Sequence, residues 1–284
     1  SYSRQDWERT FASYELLTEL GWLIGLLLGF FMSIREFGSS SILLLCSFLN
    51  LVAFLSSAVF VSDPQFIFER GLASMERTLN FAQRGIALAL RASEGQIVED
   101  KLRKESLSAF CAGLVLFSLA SSTLFTPLPI FFSKELALAP SLVFAIFVLN
   151  SSGSCVGYFF ARRSTEMIGR RGTVKIIALV RSMLTLLLTT ALIYVSVLAT
   201  PVAVAVLVIM GFVYALFLIS TLSISMELLP EGKAGLFNVL VGLGGASGCL
   251  IGPLMAAGFS FLHVLLVSSI TFLLSYLAFK IFAQ

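Results

Sequence analysis

Residues 157–172 read GYFFARRSTEMIGRRG. An apolar run ends at a knot holding Arg162, Arg163, Glu166, Gly169, Arg170 and Arg171, and a second apolar run begins at once. A long apolar helix that leaves lipid at cations and re-enters after so few residues is a membrane hairpin whose short turn stays in the cytosol. The knot then reads as a lock between helix ends.

Composition agrees with this reading. With 58% hydrophobic residues, 12% charged residues and 27 Phe, a soluble domain would lack the polar surface to cover its core. The chain is therefore all-α and polytopic. Its formal net charge of +3 comes from cations in the loops between apolar runs, whereas nucleic-acid binding needs a concentrated basic face. The four cysteines, Cys46, Cys111, Cys155 and Cys249, sit alone in separate apolar segments, which argues against disulfides and a thiolate cluster. No His or Cys cluster has metal-ligand spacing, so no metal or cofactor is expected.

Working outward from the knot, eight segments reach the roughly 20 apolar residues that a hydrocarbon core demands. They lie near 14–33, 41–61, 108–132, 140–161, 173–198, 201–224, 235–258 and 261–282. All must be helical, because backbone groups in lipid pair within their own segment and nothing here alternates at period two. With a cytosolic N-terminus, only Arg35 and Lys134 of the 19 Lys and Arg fall on the outer side. That bias places both termini in the cytosol of an integral plasma-membrane protein. Between the second and third segments, Arg70, Arg77, Arg84 and Arg91 recur every seven residues opposite an apolar face, which predicts an amphipathic helix on the inner membrane surface or under the bundle. The chain thus divides into residues 1–61, a cytosolic linker 62–107, and six helices in 108–284.

An internal repeat supports the division. A shift of 223 positions lays Gly21, Gly25 and Gly29 on Gly244, Gly248 and Gly252, Glu8 on Glu231, and Glu15 on Asn238. Both glycine sets have the spacing that lets helix backbones approach closely where lipid supplies no hydrophobic drive. Parallel repeats are one plan of secondary transporters.

These features together resemble the major facilitator superfamily. Glu166 through Arg171 match an Asp-Arg-x-Gly-Arg-Arg core, with Glu for Asp and Met167 for the first Arg; Met226 to Gly252-Pro253 looks like the family's turn and eleventh helix, and Trp7-Glu8-Arg9 like its fourth-to-fifth connection. The resemblance implies two six-helix halves around a central cavity. It also implies that these eight helices are the fifth to twelfth: the last two of an N-terminal bundle at 1–61, then a complete C-terminal bundle at 108–284. The first four helices are then expected to be missing, and the chain to be a truncated carrier.

Candidate sites follow from the cost of polar groups at membrane depth. Glu15 and Glu19 are one turn apart and are candidates for coupling transport to a proton. Glu15 also suits the headgroup layer, and Glu19 lies deeper. Thr123, Thr126, Asn150, Tyr214 and Asn238, with Glu19, are the cavity candidates, each equally suited to helix packing. Pro127 and Pro129 predict a bend at the outer end of the third segment. Arg181 reads as about two turns in from the inner surface, placed to snorkel back or to pair with Glu227, with substrate-anion binding as its other reading. The family resemblance assigns Glu166, Gly169, Arg170 and Arg171 to a cytosolic gate.

The function expected from all this is secondary transport of a small-molecule substrate by alternating access, with a proton as the candidate co-transported ion. The alternative is a non-transporting remnant, sensor or assembly partner. An enzyme is not expected, because no Ser-His-Asp set, P-loop or HExxH pattern occurs.

Overall fold

The computed structural model describes residues 4–60, 97–194, 199–228 and 235–282, so the arginine-periodic stretch 70–91 and the turn at 229–234 lie outside the described residues. Among the described residues the helices are α1 (Arg4–Ile34), α2 (Ser39–Phe60), α3 (Ile97–Phe125), α4 (Leu128–Lys134), α5 (Pro140–Ile168), α6 (Arg170–Tyr194), α7 (Ala199–Leu228), α8 (Gly235–Gly258) and α9 (Phe261–Phe282). Eight stretches are long and apolar enough to cross a membrane, α3 and α4 sharing one, Leu107–Lys134. The molecule is an all-helical, eight-span protein of the integral membrane type.

The chain forms two compact units. Residues Ser1–Ile34 and Ser106–Gln284 make the larger, and Arg35–Glu105 the smaller. In the smaller, the Asn50 amide donates to the Cys46 carbonyl one turn back at 2.9 Å, which satisfies it within α2.

The larger unit packs in the two ways open to helices in lipid. One is close backbone approach at glycine. A Cβ placed on Gly244, Gly248 or Gly252 of α8 would strike the carbonyl oxygens of Val115, Leu119 and Thr123 on α3. Gly153 and Gly157 of α5 meet the Val208 and Phe212 carbonyls of α7 in the same manner, and Gly211 of α7 meets that of Asn150. Gly157, which opens the quoted stretch, is therefore a contact point between helices. On α1 only Gly29 is covered, by the Phe144 ring, whereas Gly21 and Gly25 have nothing within 4 Å.

The other way is aromatic interlocking with polar ties. Phe117 of α3 stacks on Phe217 of α7 at 3.5 Å between centroids and meets Phe272 of α9 edge-on at 5.3 Å. Ser182 and Ser269 exchange hydroxyl-to-carbonyl bonds of 3.0 Å between α6 and α9. Ser275 of α9 donates to the Gly113 carbonyl of α3 at 2.9 Å. Each such tie contributes about 0.6 kcal/mol in a membrane, where the separated helices find other partners.

The C-terminal end of the third span breaks where its prolines stand. α3 stops at Phe125, and α4 resumes with Pro127 before its first residue and Pro129 in its first turn, where a missing N–H costs least.

Candidate functional site

The arginine knot resolves into a connection of one residue. α5 runs to Ile168, α6 starts at Arg170, and Gly169 alone reverses the chain. Its backbone, at φ 78° and ψ 150°, lies in a region open essentially only to glycine. The Gly169 N–H donates to the Thr165 carbonyl at 3.0 Å, while its own carbonyl accepts from the Thr173 N–H at 2.9 Å and the Thr173 hydroxyl at 2.8 Å. One residue thus closes one helix and anchors the next.

The charges around it run against helix electrostatics. Glu166 occupies the last turn of α5, and Arg170 and Arg171 the first turn of α6, whereas helix dipoles favour carboxylates at N-termini and cations at C-termini. Helix stability therefore does not explain these residue types. The Arg171 guanidinium stands 5.0 Å from the centre of the Phe282 ring, joining the start of α6 to the end of α9. Arg170 is partnered as well. The Glu166 side chain lies outside the described residues.

A second group of polar residues sits at membrane depth between α1, α5 and α7. The Ser151 hydroxyl donates to the Glu19 carboxylate at 2.5 Å, and the Ser154 hydroxyl lies within hydrogen-bonding reach of the same carboxylate. Ser151 is at the middle of the candidate span Pro140–Ala161, and the Glu19 carboxylate it bonds lies inside the candidate span Thr10–Ile34. Glu15 lies in electrostatic contact with Glu19 one turn back. Tyr158, two turns along α5 from Ser151, is in electrostatic contact with both carboxylates and with Tyr214 of α7. Helical geometry brings Ser151, Ser154, Cys155 and Tyr158 to one face, because they follow the i, i+3, i+4, i+7 rhythm.

Tyr214 links this cluster to a third feature. Its ring centre is 5.1 Å from the Arg181 guanidinium, and Tyr158, Glu15 and Glu19 are also within its electrostatic reach. Arg181 is only 2% exposed. It donates to the Ser121 hydroxyl at 2.8 Å and to the Met210 carbonyl at 3.0 Å, with the rings of Phe117, Phe125 and Phe272 between 5.1 and 5.7 Å away. This corrects the sequence expectation. Arg181 lies in the middle of the candidate span Arg170–Ile193, buried and bonded to α3 and α7, so its side chain does not snorkel out of the bundle. The Glu227 side chain lies outside the described residues; its backbone is seventeen residues beyond Met210 on the unbroken α7, about 25 Å further along the axis.

Of the cavity candidates, the structure brings Glu19 and Tyr214 together, and the coupling candidate Glu15 lies with them. Asn150 donates to the Leu207 carbonyl of α7 at 2.6 Å. Thr123 and Thr126 lie on the seam of α3 with α8. Thr123 is buried there, and the Thr126 hydroxyl donates to the Cys249 sulfur at 3.3 Å. Asn238 is exposed in the first turn of α8. Ser151, Ser154 and Tyr158 were absent from the candidates, and the polar periodicity inside an apolar helix was the available sign of them.

Comparison with curated proteins returned no match, and neither did comparison with solved structures. The sequence model of the Major Facilitator Superfamily matches residues 1–253. With its eight apolar spans and a match over most of its length, this chain belongs to the Major Facilitator Superfamily, a family of membrane transporters.

Proposed function

We propose that this protein is a secondary active carrier that moves a small solute across the plasma membrane by alternating access, with both termini cytosolic and a proton as the coupled ion. The observation that supports this most is the Glu19 carboxylate inside a candidate span, held across a helix interface by Ser151. An ionisable group at that depth is costly and finds its use on an ion or substrate path. A carboxylate fits proton coupling because it accepts from Ser151 when ionised and can donate when protonated, so its charge and the α1–α5 contact change together. Glu15, one turn away, is the partner through which a proton enters or leaves.

In this reading residues 1–61 belong to one rocking bundle, 108–284 form the other, and 62–107 connect them on the cytosolic side. The glycine seam of α3 and α8 keeps the second bundle rigid while it moves. Glu166, Gly169, Arg170 and Arg171 form the cytosolic gate, a charge cluster at a water-accessible helix end that opens and closes at modest cost.

The test uses vesicles reconstituted with the native protein and loaded with a pH-sensitive dye. Solutes from a chemically diverse panel are added, and solute entry and internal pH are followed together. The wild type is expected to couple the entry of at least one solute to proton movement, and Glu19→Gln to lose the proton movement. Solute-coupled proton movement that survives in Glu19→Gln would remove Glu19 from the mechanism. Absence of any solute entry with the wild type would end the carrier reading.

A further inference from the structure

Arg181 is a full cation at the centre of a membrane-spanning bundle, and among the described residues no carboxylate is paired with it. Its two hydrogen bonds go to neutral groups, and its Nε has no partner. Placing an arginine at the centre of a membrane helix is costly. The aromatic faces of Phe117, Phe125, Tyr214 and Phe272 offset part of that cost but supply no counter-charge. The fork donates to two neutral acceptors, which leaves its charge without a counter-ion and its Nε free to meet an anion.

Two further observations point the same way. The Ser268 hydroxyl, also fully buried and without a partner, lies one turn before Phe272 on the same face of α9, about 6 Å along the axis from a ring that touches Arg181. Tyr214 is only half-buried, and it is the side chain that lies within reach of both Arg181 and the Glu15 and Glu19 carboxylates of α1.

We propose that Arg181 is the anion-binding end of the substrate site, reached past Tyr214, and that the solute is a small organic anion whose carboxylate takes the free Nε while its apolar body lies among the phenylalanine rings. This rests on the carrier reading above and names the substrate class for it. The charge arithmetic suits that reading. An anion arriving beside Glu15 and Glu19 meets like charge unless one of them holds a proton, so anion binding and proton binding favour one another.

The test compares three probes of one shape, benzoate, benzamide and benzylamine, by their effect on the thermal unfolding of the purified native protein. Benzoate is expected to raise the unfolding temperature of the wild type, while the neutral and cationic probes do not. In Arg181→Gln benzoate affinity should fall by about tenfold or more, the worth of a charge-assisted hydrogen bond. Arg181→Lys, which keeps the charge and loses the fork, should hold an intermediate affinity. If Arg181→Gln does not fold, the wild type and Arg181→Lys decide the matter through the same three probes. No benzoate effect on the wild type, an equal effect of benzamide, or full benzoate affinity in Arg181→Gln would each overturn the assignment. Glu19→Gln is included because benzoate should still stabilise it, so the anion site can stand where proton coupling fails, and the reverse.

Discussion

Gly25 and Gly248 occupy equivalent places in the internal repeat, yet the structure gives them opposite surroundings, and alanine at each should show it. A Cβ on Gly248 would stand 2.5 Å from the Leu119 carbonyl oxygen and 2.8 Å from the Thr123 nitrogen, both backbone atoms of α3. Neither can rotate away, so α8 must retreat from α3 by several tenths of an ångström. Overpacking of this kind costs about 1–3 kcal/mol. At Gly25 nothing lies within 4 Å, and alanine there brings only its gain of about 1 kcal/mol in helix propensity. That gain applies at both sites, so the difference between Gly248→Ala and Gly25→Ala isolates the packing cost. For a chain of this size it amounts to about 2–10 °C in unfolding temperature. The assay is thermal unfolding of the purified proteins in one detergent, read by loss of the monodisperse peak on gel filtration. Gly248→Ala should fall below Gly25→Ala by that margin. Equal unfolding temperatures, or the reverse order, would refute the α3–α8 seam.

Other outcomes follow from single residues. Gly169→Ala forces a side chain into a backbone region that only glycine occupies freely, and should cost about 1–3 kcal/mol in the same assay although nothing crowds the site. Asn150→Ala removes the bond to the Leu207 carbonyl and should cost up to about 1.7 kcal/mol, the upper end for such ties in membranes. Phe117→Ala empties the junction of three rings, and a loss of about 3–5 kcal/mol is expected by denaturant titration in micelles.

Much of the fold was legible in the sequence because lipid allows so few solutions. Once the apolar segments reach spanning length, they must be helices, and 157–172 shows where two of them turn. The structure shortens that turn to Gly169 alone, because α6 takes in Arg170 to Gly172 before its apolar run starts. The glycine repeat was visible too, but not its consequence. Spacing shows that Gly21 and Gly25 could admit a close neighbour, as Gly244 and Gly248 do, and only the fold shows which have one. The site was legible in part. Glu19 stood out as a carboxylate within a span, but its partner Ser151 is 132 positions away and looks like one small residue among many. Arg181 was counted from the wrong reference, as a residue near the inner surface. Its aromatic surroundings come from α3, α7 and α9, which no local pattern announces.

Native Cys155 offers the most direct check on the claim that the Glu19 cluster lies on a solute path. It is half-buried on α5, one turn from Ser151 and in electrostatic contact with Glu19. With Cys46, Cys111 and Cys249 changed to Ser, a charged, membrane-impermeant methanethiosulfonate reagent is applied to right-side-out and inside-out vesicles in turn, with denatured protein setting the full-labelling level. Alternating access predicts that Cys155 is modified from both faces of the membrane. Protection from both faces would mean that the cluster is sealed helix packing, and the carrier site would have to be sought elsewhere.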